Sequence, residues 1–409
     1  MSSDQNENAQ LFRKAREALS EGENFRAYDI AEKISDDGGS PSPEKIRIMS
    51  LALARSGSLK RARELAAQLP HSDDSEITGL KSRLFKDMAL VTANPDEKRN
   101  LFAQAAQASH VGFSRQKNWY NGINAASCRF MAGDRDMARR LVREEVLPLC
   151  LSTTAKDLWL DATVGECHLL LGDYQAAAEN YSKAVAATTA AGHFGSLSSI
   201  LRQLHMLVSE IGEAAVPVLN SLSLPEIAVF SGHMIDRPDR PHPRFPLSAE
   251  EGVRQALRTI IAKRTIRLAF ASCACGGDIL FLEEVLSAGG ECTIVPPLPL
   301  PKTIQNSVAF APGDWGMRLK AVLGHPKVRL LTPECDETGE DDAIVYDFAN
   351  RYLLGLAVLK SRQVGNLPLV GVCVWDGKDS GLLGGTDSAV KLWRTQGIPV
   401  EIVKPEVQA

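Results

Sequence analysis

The chain has 409 residues, of which 44% are hydrophobic and 23% charged, with a formal net charge of -4 at pH 7. A chain of this length predicts two or more domains. The acidic balance argues against general nucleic-acid binding, although one small anion pocket needs only local donors. No apolar run approaches the roughly 18 residues of a membrane span, and residues 1–10 do not form a secretory signal. We therefore expect a cytoplasmic protein with no membrane or nucleic-acid partner.

The cysteines are scattered through apolar segments, and none forms a Cys-x-x-Cys pair. In a cytoplasmic chain such cysteines are expected to be reduced, buried thiols. Only Cys273 and Cys275 lie close together, and a metal site would require further ligands nearby. We therefore predict no metal. The eight are Cys128, Cys150, Cys167, Cys273, Cys275, Cys292, Cys335 and Cys373.

The first half of the chain has helical periodicity and a recurring pair of small residues, in which an alanine follows a glycine by five positions. The pair occurs at Gly22/Ala27, Gly57/Ala62, Gly133/Ala138 and Gly172/Ala177. A period in the middle to upper thirties is typical of a two-helix repeat. The double interval in the middle leaves room for a degenerate unit around Asn94-Pro95.

The clearest unit places Gly165 before the turn, then Ala177, Tyr181 and Ala184 after it. It resembles the tetratricopeptide repeat (TPR), in which small residues allow two helices to pack closely and an aromatic ring fills the gap. The resemblance implies a TPR-like α-solenoid over residues 1–215. Its concave surface would bind a protein partner or mediate self-assembly; a structural spacer or dimerisation arm is the alternative.

Pro217 and Pro225 interrupt the helical pattern, so we expect a linker at residues 216–226. Residues 227–409 then alternate between apolar and helical segments. Strands that are apolar on both faces and separated by helices predict a three-layer α/β domain with a mainly parallel sheet. The predicted strands are 226–230, 265–270, 291–295, 327–331, 369–375 and 400–403; the predicted helices are 248–263, with Ser248 as N-cap, 278–288, 303–310, 315–323, 341–359 and 386–396.

Ligands of such domains bind beyond the carboxyl ends of the strands. The first strand is followed there by Ser231, Gly232 and His233. The small residues allow the backbone to approach a ligand and offer N–H donors. His233 is a candidate acid or base, with polar packing as its alternative.

Two further loops have glycines directly before a helix, where N–H groups attract an anion. The second loop carries Gly276 and Gly277, followed by Asp278 as a helix cap or a partner for a ribose hydroxyl. The third carries Gly384, Gly385 and Thr386. Its Thr386 and Asp387 are also suitable cap residues, so phosphate binding and simple capping remain alternatives.

The insert at residues 236–246 is rich in proline and arginine. Prolines are expected to hold it extended. Arg237, Arg240 and Arg244 would fold over the ligand and neutralise a phosphate, or would pair with the aspartates of the same loop. Arg318 is a further candidate anion contact.

The segment from Cys275 to Pro297 contains Gly-Gly-Asp-Ile-Leu, Ala-Gly-Gly and Thr-Ile-Val-Pro-Pro. It resembles the corresponding segment of the DNA-processing protein DprA and its lysine-decarboxylase-like LOG relatives, which belong to the SLOG superfamily of Rossmann-like domains. The whole chain resembles bacterial proteins that join TPRs to such a domain in nucleotide signalling and anti-phage defence. The resemblance implies a nucleotide-derived ligand cradled by Ser231-Gly232 and Gly384-Gly385-Thr386.

LOG-type enzymes cleave the base–ribose bond with a Gly-Gly-x-Gly-Thr-x-x-Glu motif. Residues 384–391 lack the second glycine pair and the glutamate, and Asp387 or Glu283 would have to substitute. A sensor that binds its ligand without cleaving it is therefore expected. One alternative is a hydrolase of the N-glycosidic bond of a nucleotide or NAD, with Asp278, Glu283 and His233 as catalytic candidates. The other is a TPR scaffold whose α/β domain has no ligand.

Overall fold

The computed structural model describes residues 3–36, 40–69, 75–154, 157–332, 342–379, 381 and 383–406. Cys335 and the predicted helix start at residue 341 lie outside these ranges. The chain divides into two compact units, residues 1–223 with 363–365 and residues 224–362 with 366–409. Within the described ranges, no helix combines the length and hydropathy needed to cross a membrane.

The described part of the first unit is helical. Consecutive helices pack as antiparallel pairs, α1 with α2, α3 with α4, α5 with α6, α7 with α8, and α10 with α11. The helices are α1 (Ser3–Ser20), α2 (Asn24–Glu32), α3 (Pro43–Arg55), α4 (Leu59–Ala66), α5 (Ser75–Val91), α6 (Pro95–Arg115), α7 (Trp119–Met131), α8 (Arg135–Leu141), a π-helical turn (Val142–Val146) running into α9 (Leu147–Ser152), α10 (Leu158–Leu171), α11 (Tyr174–Ala190) and α12 (Phe194–Ile211).

The repeated glycines form the turns within these pairs. Gly22, Gly57, Gly133 and Gly172 all have left-handed backbone angles, with φ between 81° and 98°. An L-residue with a side chain rarely adopts this conformation, so glycine ends the first helix of each pair at low cost. The alanine five positions later is 0% exposed in every case, because it lies where the second helix meets the first.

The predicted degenerate unit is the pair α5 and α6. It uses a different turn, in which the Asn94 side chain accepts hydrogen bonds from the backbone N–H groups of Asp96 and Glu97. Pro95 occupies the first turn of α6, where the missing N–H has no partner to lose. An N-cap and a proline therefore replace the left-handed glycine.

The packing of α10 on α11 follows the predicted arrangement of small and aromatic residues. Tyr181 is 1% exposed, and a Cβ added to Gly165 would lie 3.0 Å from Tyr181 Cδ2. Glycine at position 165 thus leaves the space that the tyrosine ring occupies. Ala177 and Ala184 are fully buried beside it.

Part of the predicted linker, residues 216–220, is helical. Val216–Asn220 form a short helix, α13, which follows a 3₁₀ turn at Glu213–Ala215. Pro217 lies in the first turn of α13, where proline is compatible with a helix. The proline was therefore a helix start rather than a helix end.

The second unit is built on a six-stranded sheet in the order β4-β3-β2-β1-β5-β6, and every neighbouring pair is parallel. The strands are β1 (Glu226–Gly232), β2 (Ile266–Ala271), β3 (Glu291–Ile294), β4 (Val328–Leu330), β5 (Leu369–Val374) and β6 (Val400–Val403); the helices are α14 (Glu250–Lys263), α15 (Gly277–Ser287), α16 (Leu300–Ser307), α17 (Trp315–Leu323), α18 (Asp342–Gln363) and α19 (Thr386–Thr395).

Both faces of this sheet are covered by helices. Val370, Val372 and Val374 of β5 belong to the same buried cluster as α15. The alternate residue Gly371 faces α19, where an added Cβ would lie 2.4 Å from the Trp393 ring. Side chains of a strand alternate between faces, so β5 is buried on both sides, as its apolar sequence predicts.

The start of α14 differs from the prediction. Ser248 does not cap the helix, because Leu247–Ala249 form a 3₁₀ turn and α14 begins at Glu250 without a side-chain cap. Glu250 and Glu251 in the first turn still match the positive end of the helix dipole.

A candidate ligand cavity at the switch point of the sheet

A cavity of about 490 Å³ lies at the carboxyl ends of the central strands. From β1 the chain proceeds through β2 and β3 to β4 on one side, and β5 and β6 lie on the other side. The loops that follow β1 and β5 therefore diverge and leave a crevice between them. We call this crevice the switch-point cavity; loops after β1, β2 and β5, helix α18 and the start of α19 line it.

Most of the predicted site residues line this cavity. They come from three loops and from the arginine-rich insert, which are far apart in the sequence. The lining includes Ser231, Gly232, His233, Arg240, Arg244, Asp278, Gly384, Gly385 and Thr386.

Gly277 does not offer a free N–H group to a ligand, contrary to the prediction. The Gly277 N–H donates to the carbonyl oxygen of His233 at 3.0 Å. A Cβ on Gly277 would lie 3.0 Å from the Gly232 Cα, and one on Gly276 would lie 2.7 Å from the Ile235 nitrogen. These glycines allow the loops after β1 and β2 to pack backbone against backbone.

Asp278 connects the same two loops from inside the cavity wall. It is 5% exposed, and its carboxylate accepts hydrogen bonds from the backbone N–H groups of Ala274, at 3.1 Å, and of Gly232. Gly276, not Asp278, holds the N-cap position of α15. Burial raises the pKa of Asp278 to about 7, although the two N–H donors favour its charged form. The cavity therefore contains a carboxyl group that changes protonation near neutral pH.

His233 is held by a carboxylate that the sequence analysis did not single out. Its Nε2 lies 3.1 Å from Asp376 Oδ1, and its backbone N–H donates to Val374 O. Burial lowers the pKa of His233, while the contact with Asp376 opposes that shift. Burial raises the pKa of Asp376, but the hydrogen bonds from His233 and the Lys378 backbone outweigh it, so the net pKa is lowered.

The arginine-rich insert is a closed loop rather than an extended segment. The Asp236 N–H donates to Phe245 O at 2.9 Å, and Asp236 Oδ2 accepts from the N–H groups of Arg244 and Phe245 at 2.7 Å each. The prolines therefore shape a turn, and one aspartate connects its two ends.

The arginines of this loop have different partners. Arg240 Nε lies 3.3 Å from Asp236 Oδ1, and Arg237 lies over the Phe310 ring at 4.7 Å. Arg244 lines the cavity, and its buried Nε has no hydrogen-bond partner in the described part of the chain. Burial and the nearby Arg240 lower the pKa of Arg244. Arg244 is thus a cation whose charge an anionic ligand would stabilise.

The loop before α19 is positioned by α18. Gly384 has a φ of 80°, and a Cβ there would lie 2.5 Å from Tyr346 Cβ. Asn350 Nδ2 donates to Gly384 O at 3.2 Å. Gly385 holds the N-cap position without a side-chain cap, so the capping alternative does not hold for Thr386. The buried side chain of Thr386 lines the cavity.

Further lining residues were missed by the sequence analysis. Asp376, Lys378 and Asp379 follow β5, whereas Tyr346 and Asn350 lie on α18. The same strand-end rule that selected the loop after β1 applies to the loop after β5, so the first group could have been found. The α18 residues carry no sequence signal, because only the tertiary fold brings the middle of a long helix to this edge.

Glu283 and Arg318 lie elsewhere and are not part of the cavity lining. Arg318 Nε donates to Glu283 Oε1 at 2.8 Å, and Arg254 donates to Glu283 Oε2 at 2.8 Å. Glu284 accepts from Arg254 and Arg258 in the same cluster. These residues hold α14, α15 and α17 together, so neither the catalytic prediction for Glu283 nor the anion contact for Arg318 fits its position.

Cys273 and Cys275 are fully buried, and burial raises the pKa of each thiol to about 12. Metal binding requires thiolates. Over the residues described, no group of three or more His, Cys, Asp or Glu side chains is arranged to hold a metal ion.

A family model described as Tetratricopeptide Repeats-Sensor matches residues 5–129, which confirms TPR-type repeats over that part of the chain. Comparison with curated proteins found no match. Among solved structures, LpoA of Haemophilus influenzae (monoclinic form with two molecules) is 12% identical with a TM-score of 0.25, covering 99% of this chain and 66%, just under two thirds, of that chain. Full-length LpoA in another monoclinic form gives 12% identity and a TM-score of 0.24, covering 97% of this chain and 83% of that chain. TM-scores of this size do not establish a common fold.

Proposed function

We propose that residues 227–409 form a Rossmann-like domain that binds a nucleotide-derived ligand in the switch-point cavity, while the TPR-type repeats of residues 1–215 bind a protein partner or a second copy. The observation that carries the proposal is Arg244, a cation with an unpartnered buried Nε, as judged over the described residues, in a cavity of about 490 Å³. Cavities of this size hold small molecules. The position beyond β1 and β5 is where parallel sheets bind nucleotides.

The chemistry of the lining supports a ligand with both anionic and hydroxyl groups. Arg244 and the exposed Lys378 supply positive charge, which suits a phosphate. Asp376 and Asp387 supply acceptors in the same wall, which suit the hydroxyls of a ribose. A sensor needs binding without turnover, in agreement with the missing glutamate in residues 384–391.

The experiment is a thermal-shift screen of the full chain with AMP, ADP-ribose, NAD and cyclic nucleotides, followed by calorimetric titration of any compound that stabilises it. Arg244→Gln should weaken binding roughly tenfold to a hundredfold, because a hydrogen bond to a charged group contributes about 1.5–3 kcal/mol. Arg237→Gln removes a cation from the same loop but outside the cavity lining, and should bind as the wild type does. The proposal is wrong if no compound binds, or if Arg244→Gln and Arg237→Gln behave alike.

A hydrolase is the second candidate, and Asp278 is the observation that favours it. A carboxyl with a pKa of about 7 is suited to donate or accept a proton at neutral pH. Chromatography of NAD and AMP after incubation with the protein separates the two candidates. A product that forms with the wild type and not with Asp278→Asn would favour the hydrolase; intact ligand after prolonged incubation would favour the sensor.

A further inference from the structure

A second cavity, of about 550 Å³, lies within the helical unit. The first helices of successive pairs, α3, α5, α7 and α10, provide most of its lining, and α12 closes it with Ser199, Ile200 and Gln203. On α3 the lining residues Arg47, Leu51 and Arg55 are four positions apart, so they share one face of the helix. We call this cavity the arginine groove.

Positive charge is concentrated in the arginine groove. Arg47, Arg55, Arg83 and Lys86 line it. The Nε atoms of Arg55 and Arg83 are buried and have no hydrogen-bond partner anywhere in the described chain. Burial, followed by repulsion from Arg83 and Arg202, lowers the pKa of Arg55 to about 9. Its Nη1 donates to Leu19 O at 2.7 Å, and the guanidinium stays charged at neutral pH although burial and the neighbouring cations disfavour the charge. Perturbed groups of this kind are often found at functional sites.

Three acidic groups lie near these cations. Asp157 accepts the Trp159 N–H at the start of α10. Glu166 accepts hydrogen bonds from Ser127 and Gln203, and burial raises its pKa. Asp87 lies 3.3 Å from Arg83 Nε. It is a single carboxylate near several guanidinium groups. The lining contains more cations than carboxyl groups, since only Asp157 and Glu166 belong to it, so positive charge is in excess.

Aromatic side chains also line the arginine groove, beside its cations. Trp119, Tyr120 and Trp159 line the same cavity, and Tyr120 is 45% exposed. Guanidinium groups match phosphate oxygens, while indole and phenol rings stack on planar groups. The volume falls within the range of small-molecule sites.

We propose that the arginine groove is a second ligand site, which binds a small phosphate-bearing molecule with a planar ring. The phosphate lies against Arg55 and Arg83, and the ring lies against Trp119 or Trp159. This assigns the repeats a ligand of their own, in addition to any protein partner, and it does not depend on the proposed function of the switch-point cavity.

The probe is ADP, titrated into the full chain and followed by tryptophan fluorescence. The titration is done with Arg244→Gln, so that the switch-point cavity contributes little. Saturable quenching is expected, and Trp159→Phe should reduce its amplitude. Arg83→Gln should weaken ADP binding at least roughly tenfold, as expected for a lost charge-assisted contact. Arg99→Gln on α6, whose side chain is 67% exposed, should leave the affinity unchanged.

Arg47→Gln provides a second variant if Arg83→Gln fails to fold, and circular dichroism checks both. Inorganic phosphate should compete with ADP. Quenching that survives both arginine substitutions, or no quenching at all, would overturn the proposal.

An acidic peptide of glutamate and aspartate is the second probe: Arg83-dependent binding of the peptide without binding of ADP would make the groove a peptide site. Loss of ADP binding in the groove with nucleotide binding retained at Arg244, or the reverse, separates this proposal from the proposed function.

Discussion

Replacing Asp278 with asparagine should make the second unit more stable at neutral and alkaline pH. The wild-type carboxyl is 5% exposed, and its pKa rises from 3.8 to about 7 on folding. The unfolded chain releases this proton more readily than the folded chain does. Stability is therefore greatest below the unfolded pKa and falls as the pH rises through about 7.

The size of the effect follows from the shift. One pKa unit corresponds to 1.36 kcal/mol, so the full loss between pH 3 and pH 9 is about 4 kcal/mol. Between pH 5 and pH 8 it is about 2–3 kcal/mol. Asparagine does not titrate, and its side-chain oxygen can still accept one of the N–H groups of Ala274 and Gly232. The free energy of unfolding of the variant should therefore exceed that of the wild type by an amount that grows with pH.

The assay is urea unfolding of both proteins at pH 5, 6, 7 and 8. Both proteins carry Trp119→Phe and Trp159→Phe, which remove the tryptophans of the helical unit, so that the emission of the buried Trp315 and Trp393 reports the unfolding of the second unit. Asp239→Asn, which removes an exposed carboxylate of the same unit, is the control and should run parallel to the wild type. A difference between Asp278→Asn and wild type that stays constant within about 0.5 kcal/mol over this range would refute the burial argument.

Substitutions of tightly packed glycines give further expected outcomes. Gly371→Ala places a methyl group 2.4 Å from the Trp393 ring and should lower stability by roughly 1–3 kcal/mol in thermal unfolding. Gly355→Ala on α18, where the new Cβ meets no described atom within 4 Å, should instead raise stability by up to about 1 kcal/mol. Gly165→Ala, with its Cβ 3.0 Å from Tyr181, should lower the Tm of the helical unit. Equal melting of Gly371→Ala and Gly355→Ala would contradict the packing argument.

The elements of the sheet and the repeat turns were predictable because each has a local signal. Gly22 and Gly172 marked turns through the φ that only glycine adopts easily. The strands were apolar on both faces, and β6 lies at the predicted residues. Pro217 led to a wrong prediction that the helical segment ends there, because proline is compatible with the start of a helix as well as with its end. Whether Pro217 starts or ends a helix depends on the residues before it, which form a 3₁₀ turn.

The cavity lining was predictable only for residues that directly follow a strand. Naming both Glu283 and Asp278 as catalytic candidates was an error that helix geometry could have prevented, since residues five positions apart on a helix point about 140° apart. Only one of the two can face the cavity. The role of Gly277 depends on its close contact with Gly232. The two residues lie in different loops, so neither loop's sequence alone could predict this contact.

The strand order also has a consequence for how the second unit forms. β1 pairs with β5, joining Ile227 to Leu369 across a long stretch of chain, whereas β1 to β4 pair in sequence. Contacts this distant form late and slow folding. During synthesis, residues 226–330 can pair as a partial sheet while β1 still has an open edge, which is a hazard for misassembly. The two walls of the switch-point cavity thus come together only when β5 closes that edge.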